Sequence, residues 1–438
     1  MLAHFRGRGE RLATRAPLPR AVFAGSVERV ERDELLALLT PEAMRLLDGL
    51  PPLDAKADIV RLVSRLRAEG HEARLVAAVV GQAALRRRAE AKLGPFASRM
   101  LFTEQGLQQA TRLQVAAHHA ERFRAAGVTA VADLGCGIGA DAMALASLGF
   151  DVLAVDADEV TAAVAAHNLA PFSNARVVHA RVEEVELAPG AGAWLDPARR
   201  ETSGGRTVRR HDPADWSPSL DFAFGLADER PTGVKLGPAI PHEALPEDGE
   251  AQWVSVGGEV VEAAVWRGAV ARPGVGRSAL VLGRGGAAEL AAEGPAPDAP
   301  VGELGSWLHE PDGAVIRAEL IGRLAEQLGA RMIAPQIAWM TSDEPARSPF
   351  AASFRVEEVL PLDEAKLRRA LRDRSIGRLE IKKRGVDIDP AAFRRKLAPK
   401  GDGEATLILT RIGERRRAIL AARAEDGHAA ASAGAAEA

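Results

Sequence analysis

Apolar positions along this chain follow two rhythms. From about Asp33 to Leu93 they recur at helical spacing, as in Ile59, Leu62, Val63 and Leu66. Thr40-Pro41-Glu42 reads as a helix start: a capping hydroxyl, a proline at the first turn, and an acid near the positive end of the helix dipole. Arg86-Arg87-Arg88 closes another helical stretch and reads as a solvated face, with a phosphate contact as the alternative. From Val131 the rhythm changes. Short apolar runs (Val131-Ala132, Val152 to Val155, Val177-Val178, Ala193 to Leu195) alternate with helical segments, the pattern of βαβ units around a parallel sheet. Phe222 to Gly225, Trp253 to Val256, Val260 to Trp266 and Ala279 to Leu282 read as further strands, the last three antiparallel and hairpin-like. Ala287 to Pro300, rich in Ala, Gly, Pro and Glu, reads as a linker.

This pattern predicts an α/β protein in five parts: a disordered extension over 1–30, a helical N-terminal region over 31–102, a Rossmann-like domain over 103–290, an α+β domain over 301–423, and an Ala/Gly/Ser-rich tail over 424–438. The length of 438 residues suits about three ordered domains. No internal repeat is visible. No run reaches the ~18 apolar residues of a membrane span, and the arginine-rich N-terminus lacks the apolar core of a secretory signal. The single cysteine, Cys136, excludes an intramolecular disulfide and a Cys-based zinc site. No metal site is expected, and the expected compartment is cytoplasmic.

The densest chemistry lies in Asp133-Leu134-Gly135-Cys136-Gly137-Ile138-Gly139-Ala140-Asp141. A strand runs into a glycine-rich turn that opens a helix. Glycines there let a ligand approach the backbone, and the helix N-terminus offers free N–H groups to an anionic group. Seventeen residues after Gly139, Asp156 ends the next strand, where a carboxylate can accept from both ribose hydroxyls of a nucleoside. Gly135, Gly137 and Ala140 also fit a dinucleotide fingerprint. S-adenosylmethionine (SAM) is favoured because Asp133 would repel a pyrophosphate but can face the ammonium of a methionine moiety. A strand end carrying Asp196-Pro197, two strands later, also favours it.

On these residues the segment from about Thr103 to Leu282 resembles the class I SAM-dependent methyltransferase superfamily. The resemblance implies that Asp133, Gly135, Cys136, Gly137 and Gly139 cradle the methionine moiety, and that Asp156 and Ala157 meet the ribose. Glu183, in His179-Ala180-Arg181-Val182-Glu183, is the candidate for the adenine edge. His167-Asn168 matches a pair seen in RNA-directed members. Thr111 precedes a helix over Leu113 to Ala126 and is read either as its N-cap or as a cofactor contact.

Trp194-Leu195-Asp196-Pro197-Ala198-Arg199-Arg200 sets Asp196 at the carboxyl end of the fourth strand, where ligands of open α/β sheets bind. Amino-directed methyltransferases carry Asp/Asn-Pro-Pro-aromatic there. Here Ala198 replaces the second proline and Arg199 the aromatic. Asp-Pro-x-Arg followed by Ser203-Gly204-Gly205-Arg206 is closer to carbon-directed RNA methyltransferases, but those use a catalytic cysteine and this chain has none to spare. Direct in-line transfer is therefore expected, with Asp196, Pro197 and Arg199 as the catalytic set and Asp196 as hydrogen-bond acceptor or base. Arg199, Arg200 and Arg206 either grip a phosphate or form a salt-bridged loop. Lys235, in Gly233 to Pro238 near the next strand end, is a further candidate, with a surface lysine as the favoured reading.

Between Lys366 and Arg417 stand 17 Lys and Arg against 7 Asp and Glu, a local excess of +10 in a chain whose total is −3, so the remainder carries −13. Such segregation suits a polyanion partner. Leu379 and Ile381 alternate with charged neighbours, as in a strand displaying Arg378 and Lys382, and Asp389-Pro390 starts a helix carrying Arg394, Arg395 and Lys396. Ile376 to Gly385, with Glu310 to Ala314 upstream, resembles the THUMP-like domain found behind a methyltransferase domain in a bacterial family. The resemblance implies RNA as partner by analogy with THUMP domains, and makes Arg378, Lys382, Lys383 and Arg384 the candidate substrate-binding residues. The expected function is RNA methylation on a tRNA or rRNA base. The alternatives are a small-molecule methyltransferase with a structural C-terminal domain and a catalytically silent RNA-binding protein.

Overall fold

The computed structural model describes residues 26–50, 56–197, 200–203, 206–209 and 216–424. The expected N-terminal extension up to residue 25 and the tail beyond 424 lie outside the described residues. The chain divides into two compact units, one drawn from the residues before Arg88 together with Arg200–Arg209, the other from the remainder.

The first unit is helical: α1 (Ser26–Leu38), α2 (Pro41–Asp48), α3 (Lys56–Ala68) and most of α4 (Ala73–Leu93). Thr40 caps α2 as its sequence suggests, accepting from the Ala43 amide over 3.2 Å. Leu62 and Leu66 of α3 pack on Val76 and Val80 of α4, which is the predicted stripe. Arg86 does not lie on a solvated face. It is buried and pairs with Asp48 across 3.1 Å.

The second unit opens with α5 (Glu104–Gln109) and α6 (Leu113–Ala125). Then β1 (Ala130–Leu134), α7 (Ala140–Ser147), β2 (Asp151–Asp156), α8 (Glu159–Leu169), β3 (Ala175–His179) and β4 (Gly192–Leu195) follow in strict alternation. β5 (Arg200–Ser203) and β6 (Arg206–Arg209) form a separate antiparallel hairpin that belongs to the first unit. α9 (Leu220–Gly225), β7 (Thr232–Leu236), β8 (Glu250–Val256), β9 (Glu259–Arg267), β10 (Arg277–Gly283) and β11 (Gly286–Ala292) complete a nine-stranded sheet ordered β11-β10-β8-β9-β7-β4-β1-β2-β3. β1 to β4 and β7 run parallel, and β9 is antiparallel to both its neighbours. The chain leaves the β3 edge and re-enters beside β1, so β1 and β4 flank the topological switch point at which ligands of such sheets bind.

Three sequence expectations are corrected here. Phe222 to Gly225 lies in helix α9, capped by Ser219 accepting from the Phe222 amide, because a four-residue apolar run carries no periodicity that separates strand from helix. β10 pairs parallel with β8 instead of extending a hairpin. The expected linker begins as strand β11, paired residue for residue with β10 from Arg277↔Ala292 to Gly283↔Gly286. Its alanines mask a strand whose one large apolar residue, Leu290, is buried.

Beyond Pro300 come β12 (Trp307–Pro311), α10 (Gly313–Arg317), α11 (Ile321–Leu328), β13 (Arg331–Met332), β14 (Met340–Ser342), β15 (Ala351–Pro361), α12 (Glu364–Asp373), β16 (Ile376–Lys383), α13 (Pro390–Leu397), β17 (Gly403–Ile412) and β18 (Arg415–Arg423). The strands form a second sheet ordered β13-β14-β12-β15-β18-β17-β16. Its two faces are read directly from alternation. Leu407 and Leu409 of β17 pack with Leu367, Leu371 and Leu397 of α12 and α13, while Ile408 packs with Trp339 and Phe354 on the other face. Val315 of α10, Leu320 between the two helices and Leu324 of α11 instead share the core of the first sheet with Trp253 and Val281, so the segment after Pro300 serves both sheets.

Candidate active site

One row of residues across the first sheet sets the site. Asp133 of β1 is in register with Trp194 of β4, Trp194 with Gly233 of β7, and Gly233 with Trp266 of β9. A Cβ on Gly233 would lie 2.6 Å from Trp266 and 2.7 Å from Trp194, so glycine at this position lets the two indoles stack at 5.3 Å. Two residues further along β4 and β7, on the same face, stand Asp196 and Lys235.

The glycine turn is held to β2 by its own backbone. The Gly135 and Cys136 amides both donate to the Val155 carbonyl over 2.9 Å, and the Gly137 amide donates to Asp156 Oδ2 over 2.9 Å. Gly135, Gly137 and Gly139 all have positive φ. A Cβ on Gly135 would lie 3.2 Å from the Asp196 carbonyl oxygen, which puts the cofactor turn and the end of β4 in contact. Asn168, buried in α8, fastens the turn from behind. Its amide donates to the Ile138 and Leu101 carbonyls over 2.9 and 3.0 Å and accepts from the Leu101 amide over 2.7 Å. The His167-Asn168 pair thus contributes, through Asn168, a strut for the glycine turn.

Behind Asp196 runs an unbroken buried chain of hydrogen bonds. Lys235 Nζ donates to Asp196 Oδ2 (2.6 Å) and to Thr111 Oγ1 (3.0 Å), and Thr111 donates to Asp141 Oδ2 (2.6 Å). Asp141 Oδ1 meets His119 Nδ1 (2.8 Å), and His119 Nε2 meets Glu262 (2.6 Å). The His119 ring also lies 4.1 Å from that of Trp194. Burial alone would lower the His119 pKa, but the Glu262 charge and the hydrogen bonds from Asp141 and Glu262 bring it up to about 9, so the ring is an imidazolium at neutral pH. Burial likewise works against the Lys235 ammonium, yet Asp196, Asp141 and Glu262 hold it protonated. Asp141 would be raised by burial but is held below the ordinary carboxylate range by His119. Asp196 is raised by burial against the pull of Lys235. Its side chain is still 36% exposed.

Lys235 is therefore no surface lysine, and Thr111 is no N-cap. Arg112 stands at the head of α6 without a side-chain cap, while the Thr111 hydroxyl bridges Lys235 to Asp141. Asp141, His119 and Glu262 were not anticipated. The signal for Glu262 was a lone acid within the apolar run Val260 to Trp266, which needs a buried partner. Asp133 is 1% exposed. The Ala142 amide bonds its carboxylate, Oδ2 has no partner among the described residues, and burial with the charges of Asp141 and Asp196 pushes the carboxyl well up. The Cys136 thiol is buried, raised by that burial, and turned toward the Gly137 carbonyl. Asp156 accepts from the Gly137 and Asp158 amides, and burial raises it to about 6. Ala157 is exposed, its carbonyl meeting His179 Nε2 at 3.1 Å. Glu183 is exposed after β3 beside Arg181, at 3.5 Å. Pro197 is buried directly after Asp196. Arg199 lies outside the described residues, and so do the side chains of Arg200 and Arg206.

The four candidate substrate residues divide. Arg378 and Lys383 are exposed, Arg378 lying 3.2 Å from Glu404. Lys382 is not displayed as its alternation suggested. It pairs with Glu310 at 2.7 Å and lies over the Phe354 ring, because a long lysine stem on an edge strand folds back over apolar surface. Arg384 also turns inward, donating to the Ala338 carbonyl over 2.8 Å and lying over Trp339. Among the described residues no group of His, Cys, Asp and Glu is arranged to hold a metal, and no helix is long and apolar enough to cross a membrane.

The pocket fits SAM on its own geometry. Asp133 presents a buried, unpartnered carboxylate oxygen for the cofactor ammonium, and the glycine turn opens onto the α7 N-terminus for its carboxylate. Two strains of Mycobacterium tuberculosis carry relatives described as uncharacterized S-adenosylmethionine-dependent methyltransferases, each 36% identical over 343 residues, 75% of this chain and 91% of the relative. A crystal structure from Porphyromonas gingivalis, described as a candidate methyltransferase, shares the fold with a TM-score of 0.64 at 20% identity, covering 85% of this chain and 100% of that one. A THUMP domain-like family model matches residues 351–423, and a model described as a domain of unknown function matches 31–89. The chain belongs to the S-adenosylmethionine-dependent methyltransferases.

Proposed function

We propose that this enzyme methylates RNA, with the first sheet transferring the methyl and the second sheet's helices holding the phosphate backbone. The observation that carries the reading is the segregation of charge. Lys366 and Arg369 of α12, Arg394, Arg395 and Lys396 of α13, and Lys400 are all exposed, on a domain matched by a THUMP domain-like model. A face of this kind attracts a polyanion whatever its sequence. An anionic membrane suits it less well, because the large apolar residues of α12 (Leu367 and Leu371) are buried and leave nothing to insert.

SAM, when bound, supplies an electrophilic methyl on a positively charged sulfur. Asp133 would hold its ammonium, the glycine turn its carboxylate, and Asp156 its ribose. Asp196 adjoins the turn and would orient the accepting group by hydrogen bonding, with Lys235 fixing the rotamer of that carboxylate. Transfer would leave the electron pair of the sulfur–methyl bond on sulfur. The accepting atom forms the new bond with its lone pair and gives up its proton to Asp196 or to water. Positioning supplies the rate advantage, since no nucleophilic cysteine is at hand for a covalent route.

The test is tritium transfer from labelled SAM to total bacterial tRNA and rRNA, with Asp196→Ala as control. Label in RNA that disappears in the variant supports the reading, and digestion of that RNA identifies the base. SAM binding with label appearing only in small-molecule extracts would overturn it.

A further inference from the structure

Three carboxylates, Asp141, Asp196 and Glu262, lie on one hydrogen-bonded chain with two cations, Lys235 and the His119 imidazolium, while burial favours the neutral acid at Asp133 beside them. Lys235 answers Asp196, and His119 lies between Asp141 and Glu262. Three negative charges thus stand against two positive ones along this chain. Every link from Asp196 to Glu262 is 3.0 Å or shorter, so a charge placed beside Asp196 is felt along the whole chain with little water to screen it.

SAM brings an ammonium and a sulfonium against one carboxylate. Loss of its methyl leaves the bonding pair on sulfur and turns the sulfonium into a neutral thioether. The product, S-adenosylhomocysteine, has the same ammonium and carboxylate and one positive charge fewer. We propose that the acid-rich wall formed by Asp196, Asp141 and Glu262 recognises the sulfonium charge, so that this enzyme binds its cofactor more tightly than the demethylated product and discharges the product electrostatically. The inference rests on the placement of the methyl donor beside Asp196 and is independent of the RNA reading. Asp133 is not the discriminating group, because the ammonium it meets is common to both ligands. The discrimination would come from Asp196 and the acids joined to it, whose charge neither the ammonium nor the carboxylate of the ligand answers.

The test is calorimetric titration of the full chain, without substrate, using SAM, S-adenosylhomocysteine and sinefungin, a stable analogue whose amine-bearing carbon replaces the sulfonium and keeps the positive charge. SAM and sinefungin should each bind about tenfold or more tightly than S-adenosylhomocysteine. Glu262→Gln keeps an acceptor for His119 and removes one negative charge, and it should cut that preference about threefold or more while changing S-adenosylhomocysteine binding little. The ratio of two dissociation constants does not depend on the folded fraction of a variant. S-adenosylhomocysteine binding as tightly as SAM to the wild type would overturn the inference and leave the cofactor site standing. Equal losses for all three ligands in Glu262→Gln would overturn it as well, since a merely loosened pocket behaves that way. Failure of all three ligands to bind would overturn the cofactor placement and the inference together.

Discussion

The Lys235 ammonium and the Asp196 carboxylate lie 2.6 Å apart, joining the ends of β7 and β4. Two groups on adjacent parallel strands are thereby fixed in one geometry at the switch point of the sheet.

Removing the lysine tests what that fixation does. Lys235→Met keeps the stem and deletes the charge, leaving Asp196 free to rotate and Thr111 without its donor. Transfer to RNA should fall about 100-fold, the loss that a displacement of about an ångström produces in an oriented reaction. SAM affinity should change less than tenfold, as Lys235 makes no contact with the glycine turn. A fall in affinity as large as the fall in rate would make Lys235 a cofactor residue instead.

His119 gives a signed pH prediction. Its pKa is raised from the ordinary imidazole value to about 9 in the folded state. A raised imidazole contributes stability that is complete below about pH 6.5 and is lost as pH rises through 9, on the order of 3 kcal/mol for a shift of this kind. The wild type should therefore lose melting temperature between pH 7 and 9.5 faster than His119→Gln does. Parallel melting curves for the two proteins across that range would show that the ring is not charged in the folded state.

How far the sequence revealed the site follows from distance along the chain. Asp133, the three glycines and Asp156 act through neighbours at most one βα unit away, and their local pattern announced them. The chain behind Asp196 joins residues 22, 30, 39, 124 and 143 positions apart, and no local pattern contains such pairs. Lys235 was misread because a lysine in Val234-Lys235-Leu236 looks like the outward side of an exposed strand. In a central strand packed on both faces, that same position points into the core, where only a paired charge is tolerated. Lys382 shows the opposite failure, for alternation correctly set its strand but did not show that Glu310 and Phe354 would fold the side chain down. The second sheet's layers, by contrast, were legible in Leu407-Ile408-Leu409, where each residue chose its face by period two.

Asp156 titrates in the other direction. Burial raises it to about 6, with Asp158 adding repulsion, while the Gly137 and Asp158 amides and the His179 side pull it down. A carboxyl raised in the folded state disfavours folding once it ionises, so the apo protein should gain stability as pH falls from 6 to 4 through this group. Cofactor binding should move oppositely, because protonation removes acceptor capacity the ribose hydroxyls need. SAM affinity should fall about tenfold per pH unit below 6, and Asp156→Asn should bind weakly at every pH with no such slope. A wild-type dissociation constant flat from pH 7 to 5 would remove Asp156 from the ribose contact.

The basic helix α13 separates an RNA surface from a structural feature. Arg394, Arg395 and Lys396 occupy its last turn, where cations also favour their own helix dipole by a few tenths of a kcal/mol, roughly 0.3 to 1 each. The two roles predict different measurements. If the three side chains contact phosphates, replacing all three with alanine should weaken RNA binding equally for unrelated sequences. It should also reduce the slope of log affinity against log salt by about 2, at roughly 0.7 per phosphate on single strands. If they serve the helix alone, the melting temperature moves and the salt slope does not. Lys382→Met is the counterpart. Its ammonium is already paired with Glu310 at 2.7 Å and its stem covers Phe354, so RNA affinity should stay within about twofold. Should Lys382→Met weaken RNA as much as the triple variant, the strand β16, not the helix α13, carries the backbone.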